Sequence, residues 1–440
     1  MPKLKTVYIC QNCAFESLNW VGQCPNCQSW NSFIEEIRDT RPLSTLSGSA
    51  KGKSAAITPL KLSSIVAKAP KRLSSNMEEF DRVLGGGFVP GQVILLGGEP
   101  GIGKSTILTE ITRSLGTHDV MYVCGEESVD QIKLRTTRMG YAAENLFMLA
   151  ETNVNDVTSA IDQQKNLSLV IVDSIQTLYH PELTGLAGSV TQVRGCTQLL
   201  TNTAKAKGVP IILIGHVTKE GVVAGPKVLE HLVDTILYLE GDSQHLYRIL
   251  RTDKNRFGPV SEVGIFEMTE SGMREVLNPS EISLTSTSEK TSGSCITVIM
   301  EGYRPLLFEV QALTVRTAFG YPKRTTSGFN VNRLQVLIAI LEKRCGLDLS
   351  NHDVYLNVAG GFKINEYAAD LAVCIAMASA LKDKPVKPKT VVFGECGLNG
   401  EIRKVAHQDK RVKEAKKLGY SSVISPENCN GIADAIKKSI

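Results

Sequence analysis

A glycine-rich segment between an apolar run and an amphipathic stretch constrains the fold of this chain more than any other feature. The segment reads Gly98, Glu99, Pro100, Gly101, Ile102, Gly103, Lys104 and Ser105, followed by Thr106. The apolar run 93–96 precedes it, and apolar residues at helical spacing follow it. Glycines let backbone N–H groups turn towards an anion at the start of a helix. The pattern GxxxxGK[ST] between a strand and a helix therefore predicts a loop that binds nucleotide phosphates.

The residues next to this loop are expected to hold the nucleotide and a metal ion. Lys104 is placed to reach the β- and γ-phosphates, and the Ser105 hydroxyl to bind Mg²⁺. Asp173 ends the apolar run 169–172, and a carboxylate at that position can hold the same ion through water. We therefore predict that residues 98–106 and Asp173 form the nucleotide-binding set.

Hydrolysis of a nucleotide also requires a group that orients or activates water. Glu126 and Glu127 follow the apolar run 120–123. The carboxyl end of a strand beside the phosphate loop is where such a carboxylate would face the γ-phosphate. We favour Glu126 as the water activator and keep Glu127 as the alternative. Acidic residues at the start of a helix also occur for purely structural reasons.

Apolar runs alternate with amphipathic stretches through the middle of the chain. The runs lie at 93–96, 120–123, 169–172, 211–214 and 236–239. Continuous apolar runs between amphipathic helices are typical of a parallel sheet that is covered on both faces. This part of the chain is therefore predicted to be an α/β domain with a mostly parallel sheet.

Length and composition indicate several domains around this one. A chain of 440 residues usually forms two or three domains. We predict a metal clip at 1–37, a basic linker at 38–72, the α/β domain at 73–279, a Ser- and Thr-rich linker at 280–293 and an α+β domain at 294–440. The net charge of +4 is too small to indicate nucleic-acid binding by itself. No apolar run reaches the roughly 18 residues of a membrane span and no secretory leader is recognisable, so we expect a cytoplasmic location and no membrane partner.

Two CxxC pairs near the N-terminus predict a structural metal site. They are Cys10 with Cys13, and Cys24 with Cys27. Four thiolates can surround Zn²⁺ as a tetrahedron and leave no position for water. A redox site would need only one pair, and an iron–sulfur cluster is a weaker alternative. Residues 1–37 hold too little apolar material to fold alone, so the metal is expected to supply much of their folding free energy.

Several stretches resemble known families. Residues 79–87, leading into the phosphate loop, resemble the RecA-like ATPases. The CxxC pairs, the block Lys254-Asn255-Arg256-Phe257-Gly258 and residues 360–366 are similar to the bacterial RadA (Sms) family of DNA repair and recombination proteins, in order along the whole chain. The resemblance implies a RecA-like core that assembles into a ring, a hexamer. It also implies ATP hydrolysis stimulated by DNA and helicase-like movement that drives branch migration.

The resemblance assigns roles to residues outside the phosphate loop. Lys254 and Arg256 are similar to residues that reach the γ-phosphate bound by a neighbouring subunit. A cation supplied in this way stabilises the transition state and makes hydrolysis depend on assembly. Further expected roles are a γ-phosphate sensor and DNA contacts, assigned to His216, Thr218, Lys219, Lys227 and the loop 181–194. ATP, Mg²⁺ and Zn²⁺ are the implied cofactors.

The C-terminal domain resembles the Lon protease fold from about Ser294. In that fold a catalytic Ser opens a helix, but residues 365–370 here include no Ser, Thr or Cys. Without an acyl acceptor no protease activity is expected. Tyr367 stands where the RadA family usually has Pro. We interpret the domain as a platform for assembly and DNA binding, with a basic patch formed by Lys410, Arg411, Lys413, Lys416 and Lys417.

The sequence leaves functions of several classes open. The leading hypothesis is a DNA motor that acts on single-stranded and branched DNA and contacts recombinase or helicase proteins through the zinc clip. The main alternative is a RecA-type strand-exchange assembly that uses ATP as a switch. A RecA-like kinase of the circadian type and an ATP-dependent protease are the remaining alternatives.

Overall fold

The computed structural model describes residues 4–10, 15–30, 32–39, 71–216, 229–241, 246–278, 280, 291–318 and 320–440. These residues group into two units. The first comprises Met1–Ser243, Arg248–Val260 and Phe266–Glu275, and the second comprises Gln244–Tyr247, Ser261–Ile265 and Val276–Ile440. Cys13, Thr218, Lys219, Lys227 and the basic linker up to residue 70 lie outside the described residues.

The N-terminal part of the first unit is a small antiparallel sheet. Its strands follow the order β2-β1-β3, with β1 at Leu4–Cys10, β2 at Glu16–Ser17 and β3 at Phe33–Asp39. The buried apolar side chains that pack together here are those of Cys10, Cys24 and Phe33. Such a small cluster buries too little surface to stabilise a fold by itself, so the cysteines are the main candidates for holding this part together.

A nine-stranded sheet forms the rest of the first unit, in the order β12-β11-β10-β9-β4-β8-β7-β5-β6. Its strands are β4 Val93–Gly98, β5 Asp119–Cys124, β6 Leu146–Leu149, β7 Leu167–Asp173, β8 Ile211–His216, β9 Thr235–Gly241, β10 Tyr247–Asn255, β11 Val263–Thr269 and β12 Gly272–Glu275. From β9 to β6 every neighbouring pair is parallel. The predicted α/β class with a mostly parallel sheet is confirmed, and each apolar run of the sequence is a strand.

Helices cover both faces of this sheet. They are α1 Glu78–Leu84, α2 Lys104–Ser114, α3 Val129–Arg138, α4 Val154–Gln163 and α5 Val190–Lys207. On β4, Ile94 and Leu96 pack with apolar residues of α1, α2 and α3, whereas Val93 and Leu95 pack with those of α4 and α5. Successive side chains of a strand point to opposite faces, so a continuous apolar run is what a strand between two helical layers requires.

The second unit is built on a six-stranded mixed sheet in the order β15-β16-β14-β13-β17-β20. The strands are β13 Ser294–Glu301, β14 Arg304–Arg316, β15 Arg324–Ser327, β16 His352–Val358, β17 Thr390–Val392 and β20 Ser422–Ile424. The short strands β18, Glu395–Cys396, and β19, Ile402–Arg403, pair separately. The predicted strand at 354–358 therefore belongs to β16.

One helix of the second unit is buried on all sides. The helices are α6 Val331–Cys345, α7 Asp370–Lys382, α8 Gln408–Lys417 and α9 Ile432–Ser439. Every residue of α7 from Asp370 to Ser379 is buried. The sequence predicted this alanine-rich helix from residue 366, but α7 begins at Asp370, after a 3₁₀ turn at Tyr367–Ala369. Small side chains let neighbouring elements approach α7 closely, which suits a central position.

The predicted basic patch on α8 is wrong in one member. Arg411 is fully buried, and its guanidinium donates to the carbonyl oxygens of Val298 at 2.6 Å and Ala406 at 3.0 Å. It also forms an ion pair with the carboxylate of Glu366. Residues four apart on a helix share a face, and Arg411 lies one turn before the buried Ala415. The remaining lysines of the predicted patch are exposed.

Within the described residues, no helix combines the length and the apolar character needed to cross a membrane.

We expect Arg411→Ala to lower the free energy of unfolding of the second unit by about 3 kcal/mol, because Glu366 would keep a half-buried charge without its partner. Lys413→Ala, at an exposed position of the same helix, should change it by less than about 0.5 kcal/mol. Hydrogen exchange of the α7 amides, followed by mass spectrometry, reports this unit separately. Equal exchange in the two variants would show that the buried ion pair is not needed.

Candidate functional site

The loop between β4 and α2 forms a backbone cradle. Gly101 and Gly103 have φ values of 75° and 112°, in a region that residues with a Cβ rarely adopt. A Cβ on Gly103 would also lie 2.7 Å from the terminal methyl groups of Met268 and Met273. Glycine therefore lets the chain turn sharply, so that α2 begins at Lys104 with its first N–H groups open to a ligand.

Lys104 folds back over the loop. Its Nζ donates to the carbonyl oxygens of Gly98 at 2.9 Å and Glu99 at 3.0 Å. The side chain is almost completely buried, and burial lowers the pKa of the ammonium group, while the charges of Asp173 and Glu126 act in the opposite direction. Lys104 therefore lies close enough to Asp173 and Glu126 for their negative charges to favour its charged form.

Asp173 accepts hydrogen bonds from two sides of the site. Its Oδ2 receives the hydroxyl of Ser105, from α2, at 3.1 Å and that of Tyr122, from β5, at 2.5 Å. Burial raises the pKa of the Asp173 carboxyl, and both hydrogen bonds oppose that shift. Burial and the neighbouring carboxylate hold the pKa of Tyr122 well above its ordinary value, so the phenol remains a donor. Thr106 lies half-buried in the first turn of α2.

The two candidate glutamates have different environments. Glu127 forms an ion pair with Arg135 of α3, whereas Glu126 is exposed. Ser128 caps α3 through a reciprocal pair of hydrogen bonds with Gln131. This cap fixes where α3 begins and therefore helps to position Arg135. The N–H groups of Gly125 and Glu126 donate to the carbonyl oxygen of Asp173 at 2.7 and 3.3 Å. The ends of β5 and β7 are thus joined at the site.

Tyr122 and Arg135 were not predicted from the sequence as residues of the site. Tyr122 is the one hydroxyl-bearing residue within the run 120–123, and it is buried. Because buried hydroxyls nearly always have a partner, a tyrosine in an aliphatic strand next to the phosphate loop was a usable signal. Arg135 lies eight residues after Glu127, and only the course of α3 brings the two together.

Lys254 and Arg256 lie beside the amino end of β4 and β9, whereas the phosphate loop follows the carboxyl end of β4. Asn255 pairs with Thr235, and Thr235 pairs with Ile94, near the beginning of β4. The loop follows the end of β4, and six residues of strand span about 20 Å. The fold of one chain therefore does not bring these two cations to its own phosphate loop.

Both cations have partners in their own chain. The Nζ of Lys254 donates to the carbonyl oxygens of Val233, at 2.8 Å, and Glu230. Burial is the main cause that lowers the pKa of Lys254, and the charge of Arg256 adds to it. The guanidinium of Arg256 lies 3.2 Å from the carboxylate of Asp234, and its side chain is 51% exposed.

The structure describes some of the residues that were predicted to sense the γ-phosphate or to contact DNA. His216 ends β8, where its backbone is in register with Gly98. The predicted loop 181–194 is helical from Val190, where α5 begins. The buried Gln192 of α5 donates to the carbonyl oxygen of Leu183 at 2.8 Å and accepts the N–H of His180 at 2.7 Å. Leu186 in this loop is 86% exposed. The Gln192 side chain thus fixes the conformation of a loop that carries the exposed Leu186.

The cysteine cluster has the dimensions of a zinc site. The thiols of Cys10, Cys24 and Cys27 lie within 4.8 Å of one another, and those of Cys10 and Cys27 are 3.6 Å apart. A tetrahedron with Zn–S bonds of about 2.3 Å has sulfur atoms about 3.8 Å apart. The donor set therefore fits zinc, with Cys13, outside the described residues, as the predicted fourth ligand.

Family models match three parts of the chain. Residues 8–35 match the rubredoxin metal-binding domain, residues 58–222 match the AAA domain, and residues 327–429 match subunit ChlI of Mg-chelatase. These matches fall on the cysteine cluster, on the phosphate loop with its sheet, and on the second unit.

Curated relatives match nearly the whole chain. DNA repair protein RadA of Bacillus subtilis is 49% identical over 97% of this chain and 93% of its own length. DNA repair protein RadA of Listeria monocytogenes is 47% identical over 98% of this chain and 93% of its own length. Among solved structures, the RadB recombinase aligns with 46% of this chain and 99% of its own, at 24% identity and a TM-score of 0.38. The similarity over the full length confirms the resemblance drawn from the sequence: the chain belongs to the family of the DNA repair protein RadA.

Proposed function

We propose that this chain is a DNA-dependent ATPase that works as a helicase-like motor. It would promote branch migration and the processing of recombination intermediates in DNA repair. The observation that carries the proposal is the meeting of Lys104, Ser105, Tyr122 and Asp173 at the phosphate loop. Membership of the RadA family supports the DNA part of the proposal.

The cradle and its neighbours suit ATP with Mg²⁺. The N–H groups of residues 98–106 would bind the phosphates, and Lys104 would exchange its carbonyl partners for the β- and γ-phosphates. Ser105 and Asp173 would hold Mg²⁺, which screens the phosphate charge when bound. Tyr122 fixes the orientation of the Asp173 carboxylate through its hydrogen bond.

Glu126 is the better candidate for orienting the attacking water. Arg135 occupies the carboxylate of Glu127 and compensates its charge. Glu126 is exposed at the end of β5, and its charge acts on both Lys104 and Asp173. An exposed carboxylate whose charge acts on both Lys104 and Asp173 is suitably placed to accept a hydrogen bond from the attacking water.

Lys254 and Arg256 would complete the site of an adjacent copy. They lie at the end of the strands away from the phosphate loop of their own chain. Their positive charges would therefore reach a γ-phosphate only in another chain. Arg256 is half-exposed, and its guanidinium bonds to the Asp234 carboxylate through one nitrogen, so the side chain can turn outwards at small cost. Head-to-tail contacts of this kind form a ring, such as the proposed hexamer, when the rotation between copies closes, and a filament when it does not.

Two surfaces support contacts with DNA and with a protein partner. The loop that precedes α5 within residues 181–194, held by Gln192 of that helix, would contact single-stranded or branched DNA. In the cysteine-bearing region, Trp20 and Trp30 are 55% and 71% exposed and flank Gly22. Exposed tryptophans are typical of protein interfaces, so this face would bind a recombinase or a helicase.

The proposed activity is tested by steady-state ATP turnover with and without single-stranded DNA. We expect DNA to increase turnover, and Lys104→Ala to abolish it because the phosphates lose their buried cation. Full turnover in that variant would remove the phosphate loop from the mechanism.

The same assay separates the alternatives. Turnover that does not respond to DNA, together with phosphate transfer to the protein, would favour a kinase. DNA binding that requires ATP but not its hydrolysis would favour a strand-exchange assembly.

The role of Arg256 in a neighbouring site is tested by mixing inactive variants. We expect Arg256→Ala to keep nucleotide affinity and lose turnover by about a thousandfold or more. Mixed with Lys104→Ala, it should regain activity, because some interfaces then join an intact loop to an intact Arg256. Arg256→Ala mixed with a variant that carries both substitutions has no such interface and should stay inactive. Recovery in both mixtures, or in neither, would contradict the assignment.

Tyr122 is tested through the metal dependence of hydrolysis. Tyr122→Phe keeps the ring but removes the donor to Asp173, so we expect the Mg²⁺ concentration for half-maximal turnover to rise about tenfold. Tyr141→Phe is the matched control. It also removes a hydroxyl that donates a hydrogen bond, in this case to Asn145 at 2.5 Å, but this bond does not involve the phosphate loop. An identical Mg²⁺ dependence in the two variants would show that Tyr122 does not position Asp173.

A further inference from the structure

The second unit contains a cavity of about 370 Å³ between the beginnings of α6 and α7. This volume lies within the usual range of small-ligand sites, about 300–1,000 Å³. Its wall includes two aromatic rings, three amides and one guanidinium, from Phe329, Tyr367, Asn330, Asn332, Asn365 and Arg333. Amides and aromatic rings thus line the same space.

The charged groups around the cavity are already compensated. Arg333 forms an ion pair with the buried Asp370, and its guanidinium also donates to the carbonyl oxygen of Cys396 at 3.0 Å. The carboxylate of Glu366 is bound by Arg411 and accepts the N–H of Met300 at 2.8 Å. The cavity therefore offers no net charge to a ligand, and selects for a neutral group rather than for a phosphate or a metal ion.

The Tyr367 ring presents a flat surface at the mouth of the cavity. The guanidinium carbon of Arg333 lies 4.8 Å from the centre of this ring, so it covers one face. The Tyr367 side chain is nevertheless 57% exposed, which leaves the other face accessible. A tyrosine held flat by a guanidinium is already ordered, so a second planar group can stack on it at low entropic cost.

The amides provide hydrogen bonds in the same place. Asn330 uses its side-chain oxygen to accept the N–H of Arg333 at 3.0 Å, which leaves its NH₂ as a donor. Asn332 and Asn365 are exposed and carry both a donor and an acceptor. Asparagine pairs well with the edges of nucleobases, and aromatic rings stack on their faces.

From this arrangement we propose that the cavity binds one unpaired nucleobase of a DNA strand, stacked on Tyr367 and held at its edge by the asparagines. The inference rests on the proposed function, in which the chain works on single-stranded DNA. Lys363 is exposed two residues before Asn365 and would contact the phosphate next to the bound base. The contact is independent of the phosphate loop, because all of these residues belong to the second unit.

The proposal is tested by photo-cross-linking of the full chain to oligodeoxythymidylate that carries a single 5-iodouracil. We expect the cross-link in the tryptic fragment 364–382, which contains Tyr367. Excess unlabelled oligodeoxythymidylate should suppress it, and unfolded casein should not. A cross-link found only elsewhere in the chain, or suppression by casein but not by DNA, would overturn the nucleobase assignment.

Variants of the tyrosine test the same contact by affinity. Tyr367→Ala should weaken binding of single-stranded DNA roughly tenfold, whereas Tyr367→Phe should stay within about twofold of the unaltered chain, because stacking needs the ring and not the hydroxyl. Tyr321→Ala, an exposed tyrosine of the same unit outside the cavity, should have no effect. On a DNA strand made of abasic sites, Tyr367→Ala and the unaltered chain should bind with the same affinity.

The outcomes separate this inference from the proposed motor function. Unchanged affinity of Tyr367→Ala, with DNA-stimulated ATP turnover intact, would reject the nucleobase site alone. Failure of the unaltered chain to bind any single-stranded DNA would reject both.

Discussion

The hydrogen bonds around Asp173 are the interactions on which the site depends. The side chain joins α2 through Ser105 and β5 through Tyr122, and its carbonyl oxygen receives the N–H groups of Gly125 and Glu126. Strands β5 and β7 and helix α2 thus meet at one residue. Burial disfavours the charged carboxylate, whereas the hydrogen bonds from the Tyr122 and Ser105 hydroxyls favour it and so help to keep an anion beside the phosphate loop. The buried apolar strands supply a rigid base for this arrangement.

The sheet also separates the two halves of the proposed catalytic machinery. The phosphate loop lies at the carboxyl edge of β4, and Lys254 and Arg256 lie at its amino edge. In the proposed mechanism, a monomer therefore carries one half of two different sites. This division would couple hydrolysis to assembly, since the transition state would gain its last positive charge only when copies meet in the correct orientation.

Periodicity and motif spacing predicted much of this protein, and long-range side-chain pairing was beyond them. The apolar runs predicted the strands of the parallel sheet, because a buried strand needs apolar residues on both faces. Arg411 was placed on the surface because the composition of α8 is basic, but its partner Glu366 is distant in sequence. The ion pair of Glu127 with Arg135 and the bond of Tyr122 to Asp173 depend in the same way on the tertiary fold. The specific roles of Glu126, Lys254 and Arg256 remain predictions.

The central claim is that one copy binds ATP and the next copy completes its site. Electron cryomicroscopy of the full chain with Mg²⁺, a non-hydrolysable ATP analogue and single-stranded DNA would test it most directly. The account predicts an oligomer in which the γ-phosphate contacts Lys104 of one copy and lies within hydrogen-bond distance of Arg256 from its neighbour. A γ-phosphate enclosed only by residues of the chain that binds it, with Arg256 still paired to Asp234, would contradict the account.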